Sequence, residues 1–424
     1  MFPRSAVMAV PALLLLIGTF VVSGCSQPAS ALEKPLTQVS QSGGKVQKTT
    51  GPLAIPFELV VKHVLLPVRV NGSRPLQFLL DTGDKFAIID LDRARELGLS
   101  LKGEIRVGGA GSQVIPASRV QNSSFTIPGL EGFSQPIKLA LPLKSFAAIL
   151  GQDIDGIIGH DFIKEFVLEL DYQARQIKLH DQNNFVYTGV GESVPIQIDA
   201  SGHPIIEAEM TPVGGEPIKG KFLLDIGSDA SFALYSPFVA EHNLLGPQLK
   251  TIRALGAVGA GGEVTGRFGR VAQLKIGKFR LANPITFFSQ DKAGTFADKE
   301  TQGNIGEQIL SKFKVFLDYA HNRIILEPNA TFSQPFNEAF SGLSLITEGK
   351  DYQTFRITDI LENSPASTAG LQRDDLLLSI NGRPAAELTL SEVYEIFERP
   401  VPYKLQIRRG EQTLRVTLKP ARLV

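Results

Sequence analysis

Apolar and polar positions divide this chain of 424 residues into stretches of different period. After Arg4 an uncharged apolar run extends from Val7 to Val22, interrupted by Pro11. It falls short of the ~20 residues that cross a bilayer, which predicts the hydrophobic region of an export signal rather than a membrane span. Ser26 to Gly51 is rich in Ser, Gln, Thr and Pro, carries no strand or helix period, and reads as a flexible tether. Beyond it, short apolar runs alternate with turn residues, the pattern of a mainly β protein. Val64–Val70 and Leu76–Leu80 flank Asn71-Gly72, a hairpin signal, and Phe86–Ile89 is a third strand. Leu91–Leu97 predicts a short helix with Asp90 as N-cap and Gly98 as its stop.

The same plan returns further along the chain. Phe78-Leu79-Leu80-Asp81 recurs as Phe222-Leu223-Leu224-Asp225, and the segment Gly159 to Tyr172 aligns with Gly306 to Tyr319 through its Gly, one Phe and a closing Leu-Asp-Tyr. Two blocks in one order at nearly one spacing predict a duplication into two lobes. In the second, Ser236-Pro237 starts a helix that should end near Gly246. Each lobe also carries a glycine-rich stretch (Gly108, Gly109, Gly111; Gly256, Gly259, Gly261, Gly262) suited to a mobile hairpin. Asp171-Tyr172 and Asp318-Tyr319 precede strand patterns and read as structural turns; His160 follows Gly159 but has Glu307 as its counterpart, so no role is assigned to it.

Composition narrows the chemistry. Lys plus Arg number 43 and Asp plus Glu number 43, so no net field favours nucleic acid. A single cysteine, Cys25, excludes an intrachain disulfide or a cysteine-built metal site, and the six histidines include no close pair at ligand spacing; no metal or other cofactor is expected. What remains is the repeated carboxylate. In Asp81-Thr82-Gly83 and Asp225-Ile226-Gly227 an apolar strand delivers an Asp to a desolvated place, and the Gly permits a tight turn. A lone buried carboxylate is costly, whereas a facing pair can share one proton and activate a water between them.

These residues resemble the aspartic protease superfamily, in which Asp-Thr/Ser-Gly triplets from two lobes or two subunits meet at a dyad axis. Ile157-Ile158-Gly159 resembles the element that packs behind the triplet in retropepsin-like members, with Asn304-Ile305-Gly306 as its second-lobe counterpart. The resemblance implies Asp81 and Asp225 as the catalytic pair, supported by Thr82, Gly83, Ile226, Gly227, Gly159 and Gly306. Three departures stand out. Ile226 replaces a hydroxyl residue, so cross-lobe hydroxyl bonds can come only from Thr82; Asp84 adds a charge beside the first triplet; and neither glycine-rich stretch offers a flap tyrosine.

The last eighty residues change pattern. Gly342-Leu343, Asn363-Ser364-Pro365-Ala366, Ala369-Gly370-Leu371 and Ile380-Asn381-Gly382 resemble a PDZ domain of the bacterial protease-associated kind, with Asp374 where a Gly is common and Ser391–Phe397 as the groove helix. The resemblance implies capture of an extended peptide or protein C-terminus, with Gly342 and Leu343 in the carboxylate loop. At the other end, Val22-Ser23-Gly24-Cys25 resembles the lipobox of bacterial lipoproteins, which implies lipidation of Cys25 and a membrane anchor. The location implied is the cell envelope, on the periplasmic or extracellular face, with Ser26 favouring the outer membrane of a Gram-negative cell.

The expected chain is therefore a signal peptide (1–24), a tether (25–55), two retropepsin-like β-barrel lobes (56–190 and 191–330) forming a pseudo-two-fold bilobal unit, and an α+β PDZ domain (338–422). As a pseudo-dimer within one chain it would be a lipid-anchored endopeptidase acting on polypeptides. Two alternatives stay open: an inactive peptide-binding envelope adaptor, and a protease whose pair comes from two copies of the first lobe.

Overall fold

The computed structural model describes residues 51–424 except 255, 256, 260 and 337–339, together with the backbone of Leu15–Leu16 and Val21–Val22. The rest of the proposed signal peptide, Cys25, the tether up to residue 50 and Gly256 lie outside the described residues.

Each lobe is organised around an Asp-bearing strand. In the first, His63–Val70 and Leu76–Leu80 form the expected antiparallel hairpin; Asn71 and Gly72 take positive φ values (47° and 77°) in the tight turn that opens its five-residue connection, where Ser73 N donates to Val70 O at 2.9 Å. Leu76–Leu80 then lies parallel to Gly156–Ile158, which runs antiparallel to Ile88–Asp90, itself parallel to Leu139–Leu141. The second lobe repeats every pairing: Ile218–Leu224 lies parallel to Gly303–Ile305, which is antiparallel to Phe232–Leu234, parallel in turn to Ile285–Ser289. These inner strands are buried on both faces, which is why they read as unbroken apolar runs rather than alternating ones.

The helix after the third strand spans Leu91–Glu96, with the Asp90 side chain accepting from Arg93 N at 2.9 Å and Gly98 at φ 66° beyond its end. Its second-lobe counterpart covers Ser236–Glu241 and stops short of Gly246, because Asn243 already adopts a left-handed φ of 48°.

The lobes join through a six-stranded sheet running Leu53–Pro56, Gln176–His180, Val167–Asp171, Phe313–Asp318, Arg323–Pro328 and Glu192–Ile198. The pseudo-two-fold passes between its central pair, where Leu168 faces Leu317 and Leu170 faces Val315. A backbone ladder across the axis fixes the relative position of the two triplets more firmly than side-chain packing alone. The Asp171 carboxylate accepts from Gln173 N and Ala174 N, the structural turn role expected for it.

The last domain is a sheet ordered Leu343–Glu348, Thr354–Ile360, Leu376–Ile380, Tyr403–Arg409, Gln412–Leu418, with helices Pro365–Thr368 and Leu390–Phe397. Thr389 and Glu392 close a capping box on the second helix. Asp374 carries a φ of 69°, which explains why Gly is the usual residue there.

Candidate active site

The strands ending at Leu80 and Leu224 bring Asp81 and Asp225 together where the two lobes meet, both almost fully buried. Asp81 N donates to Ile158 O (3.0 Å) and Asp225 N to Ile305 O (2.9 Å), so the strand behind each triplet holds its backbone. Gly159 and Gly306 follow those strands. A Cβ on Gly159 would overlap the carbonyl of Asp84, and one on Gly306 those of Ala230 and Ser228; both positions exclude a side chain because a triplet loop lies against them. Among the described residues neither Gly83 nor Gly227 has a positive φ, so a left-handed turn is not what requires them. For Gly227 the reason is approach: a Cβ there would overlap the Asp81 carboxylate from the opposite lobe.

The two carboxyls are unequal. Asp81 Oδ1 accepts from Gly83 N at 2.7 Å, and its Oδ2 has no hydrogen-bond partner. Burial, then the charges of Asp225 and of the buried Asp84, push its pKa far above the usual carboxylate range. Burial also raises Asp225, but to about 6, since the Asn304 side chain donates to its Oδ2 at 2.9 Å and the nearby His203 favours its charge. Asp225 Oδ1 is unpartnered. The environment therefore holds the proton on Asp81 and leaves Asp225 the readier to ionise, as a pair and not as two independent acids.

A lock joins the triplets from one side. Thr82 Oγ1 donates to Leu224 O at 2.5 Å and accepts from Ile226 N at 2.9 Å, while Ile226 offers no hydroxyl in return. Sequence reading passed over two histidines that the fold brings to this place, His63 and His203, each at the mouth of the strand that pairs with an Asp strand. It also undervalued Asn304, whose amide stands where the first lobe has Ile157. The signal available for all three was their matched or mismatched position in the repeat. His160 stacks on Tyr319 of the other lobe, ring centres 5.6 Å apart, and serves the lobe contact.

Two glycine-rich hairpins, Ser100–Gln121 and Ala257–Val264, touch each other. Gln113 N donates to Gly261 O (2.8 Å) and Gly261 N to Ala110 O (2.6 Å), and a side chain at Gly111 would strike the Gly261 backbone. Their edges also pair with extended chain: Leu15–Leu16 runs parallel to Val258–Gly259, and Val21–Val22 antiparallel to Val107–Gly108.

The groove of the C-terminal domain, between Leu343–Glu348 and the helix Leu390–Phe397, faces the lobes. Val61 N donates to Ser391 Oγ at 2.7 Å, Lys62 pairs with Glu398 at 2.7 Å, and Thr347 Oγ1 donates to Ala148 O at 3.0 Å. Gly342 and Leu343 line a cavity of about 140 Å³ whose opposite wall is formed by Phe232, Phe268 and Ile285 of the second lobe. Among the described residues there is no cluster able to hold a metal ion.

Residues 66–162 match the family model described as aspartyl protease, and residues 356–409 match that of the PDZ domain. The chain thus combines an aspartyl-protease domain with a C-terminal PDZ domain, in the aspartic-protease-like fold expected for it. Similar solved structures include an aspartic proteinase from Irpex lacteus, 11% identical with TM-score 0.40, the match covering 67% of this chain and 99% of that one. Another is the HtrA3 PDZ domain bound to a phage-derived ligand, 26% identical with TM-score 0.18, covering 20% of this chain and 85% of that one. No curated protein matches the chain.

Proposed function

We propose that this chain of the aspartic-protease kind is an exported, lipid-anchored endopeptidase whose Asp81 and Asp225 form one catalytic pair, with the PDZ domain recognising polypeptides. The observation that carries the reading is the approach of two buried carboxyls of unequal acidity, with Gly227 of one triplet packed against the Asp81 carboxylate of the other. Asp81 Oδ2 and Asp225 Oδ1, the oxygens without protein partners, are where a water would bind. Ionised Asp225 takes a proton from that water as its oxygen attacks the amide carbon, while Asp81 gives its proton to the carbonyl oxygen. The resulting gem-diol collapses when the protonated Asp225 passes its proton to the leaving nitrogen and Asp81 recovers one from a hydroxyl. The pair carries one proton and one negative charge before and after each transfer.

Substrate would lie extended, since the hairpin edges pair with extended chain in the leader segments Leu15–Leu16 and Val21–Val22. Asp81→Asn and Asp225→Asn should each lower the cleavage rate of an unfolded test protein by at least about a hundredfold. Full activity in either variant contradicts the pair. A second reading, a binding adaptor that does not cut, is favoured by two departures from the family pattern: Asp84, which adds a third carboxylate beside the pair, and Ile226, which leaves the second triplet without its hydroxyl. Binding of unfolded chains without fragments between about pH 4 and 8 would establish it. Anchoring through Cys25 belongs to the same proposal: a Cys25→Ala chain should leave the membrane fraction, and its retention there would refute a lipid anchor at that residue.

A further inference from the structure

His63 and His203 occupy equivalent places in the duplicated lobes. His63 lies three residues before Leu66, which pairs with Phe78; His203 lies three residues before Ile206, which pairs with Phe222. Each ring reaches across the axis toward the glycine of the opposite triplet, but the two differ in what holds them. His203 Nε2 donates to Gly83 O at 2.9 Å and its Nδ1 meets Asp199 Oδ2 at 2.9 Å. The carbonyl can only accept, so the ring donates to Gly83, and the Asp199 carboxylate holds the ring from its other side. His63 is fully buried beside the Gly227 backbone without a well-formed hydrogen bond, and burial pushes its pKa down to about 3. Its missing partner is legible: Leu59 stands where the second lobe has Asp199.

The turn that presents His203 is itself fixed. Asp199 Oδ1 accepts from Ser201 N (2.8 Å) and His203 N (2.9 Å). From the first lobe, Lys85 Nζ donates to Ala200 O at 2.8 Å, and the His160 ring packs where a side chain on Gly202 would stand. The first lobe therefore grips the second through Thr82, and the second, lacking a hydroxyl at Ile226, grips the first through His203.

We propose that the Asp199–His203 pair is the second half of the lock between the two triplets, making His203 a positioning residue for the Asp pair. The inference rests on the protease reading only where activity is the readout. The test is a double-mutant cycle of His203→Leu and Ile226→Thr in the full mature chain, following kcat, KM and thermal midpoint. By the pseudo-two-fold relation, threonine at position 226 supplies the hydroxyl that the second lobe lacks. His203→Leu should lower kcat about tenfold, the loss of one hydrogen bond across the axis, with KM within about twofold. In the Ile226→Thr background the loss should shrink to about threefold or less, and the drop in thermal midpoint should shrink with it. His203→Gln, which keeps a donor, should retain most of the activity and stability. Equal losses in both backgrounds, or Gln no better than Leu, would overturn the proposal. If the wild-type chain cuts nothing, the protease reading fails, and the thermal cycle alone decides the lock: non-additive midpoints support it and additive ones refute it.

Discussion

Asn304 donates to Asp225, whereas its equivalent in the first lobe, Ile157, offers Asp81 nothing. One amide thus separates two carboxyls that duplication would otherwise leave alike. The consequence is a direction of pH dependence. Asp225 must be ionised to accept the water proton, so the first ionisation of the pair, which burial raises above the usual carboxylate range, sets the acid limb of kcat/KM. Removing the donor in Asn304→Ile raises that pKa further, so the limb should move to higher pH by about one unit, equivalent to about 1.4 kcal/mol. A limb that stays in place or moves down would show that Asn304 does not stabilise the charged form. At this scale the sequence was informative wherever chemistry is carried by the repeat itself. Asp81, Asp225, Thr82 and the aberrant Ile226 stand out by alignment of the two halves, and the cross-lobe hydroxyl bonds are made by Thr82. His203 did not, because an Asp-x-x-x-His pattern acquires meaning only when the fold sets it against Gly83 of the other lobe.

Elements were legible where local rules act alone. Asn71-Gly72, the cap at Asp90 and the capping box at Thr389 each determine a turn or helix end from a few neighbouring residues. The early end of the second-lobe helix shows the limit of that reasoning, since Asn243 enters the left-handed region before any glycine is reached. Parallel partners were not legible from pattern. Nothing within Leu76–Leu80 says that its neighbour is Gly156–Ile158, some seventy-five residues on; only the family resemblance pointed to that strand. The same holds for the hairpin tips, where glycine is needed at 111 because the Gly261 backbone approaches, and not for the hairpin's own turn alone.

At the scale of the whole molecule, the PDZ domain is continuous with the lobes. Leu143, Phe146 and Leu150 of the first lobe share one apolar cluster with Leu343, Leu345 and Val393 of the PDZ domain. The buried Arg270 donates to the backbone oxygen of the terminal Val424 at 3.0 Å, which ties the chain end to the second lobe. No linear feature announces this docking, because it depends on surfaces that the chain assembles from distant segments. The groove that would take a peptide is consequently lined by both lobes as well as by its own domain, and Asp229 to Ser231, immediately beyond the second triplet, line the same cavity as Gly342 and Leu343. Under the proposed function, recognition and cleavage would share one folded body, built around one pair of carboxyls per chain. The most direct test of that claim is an active-site titration of the mature protein with a statine-containing peptide while cleavage of an unfolded protein is followed. Activity should fall linearly to zero at one inhibitor per chain. An end point at one inhibitor per two chains, or cleavage that the inhibitor leaves untouched, would contradict it.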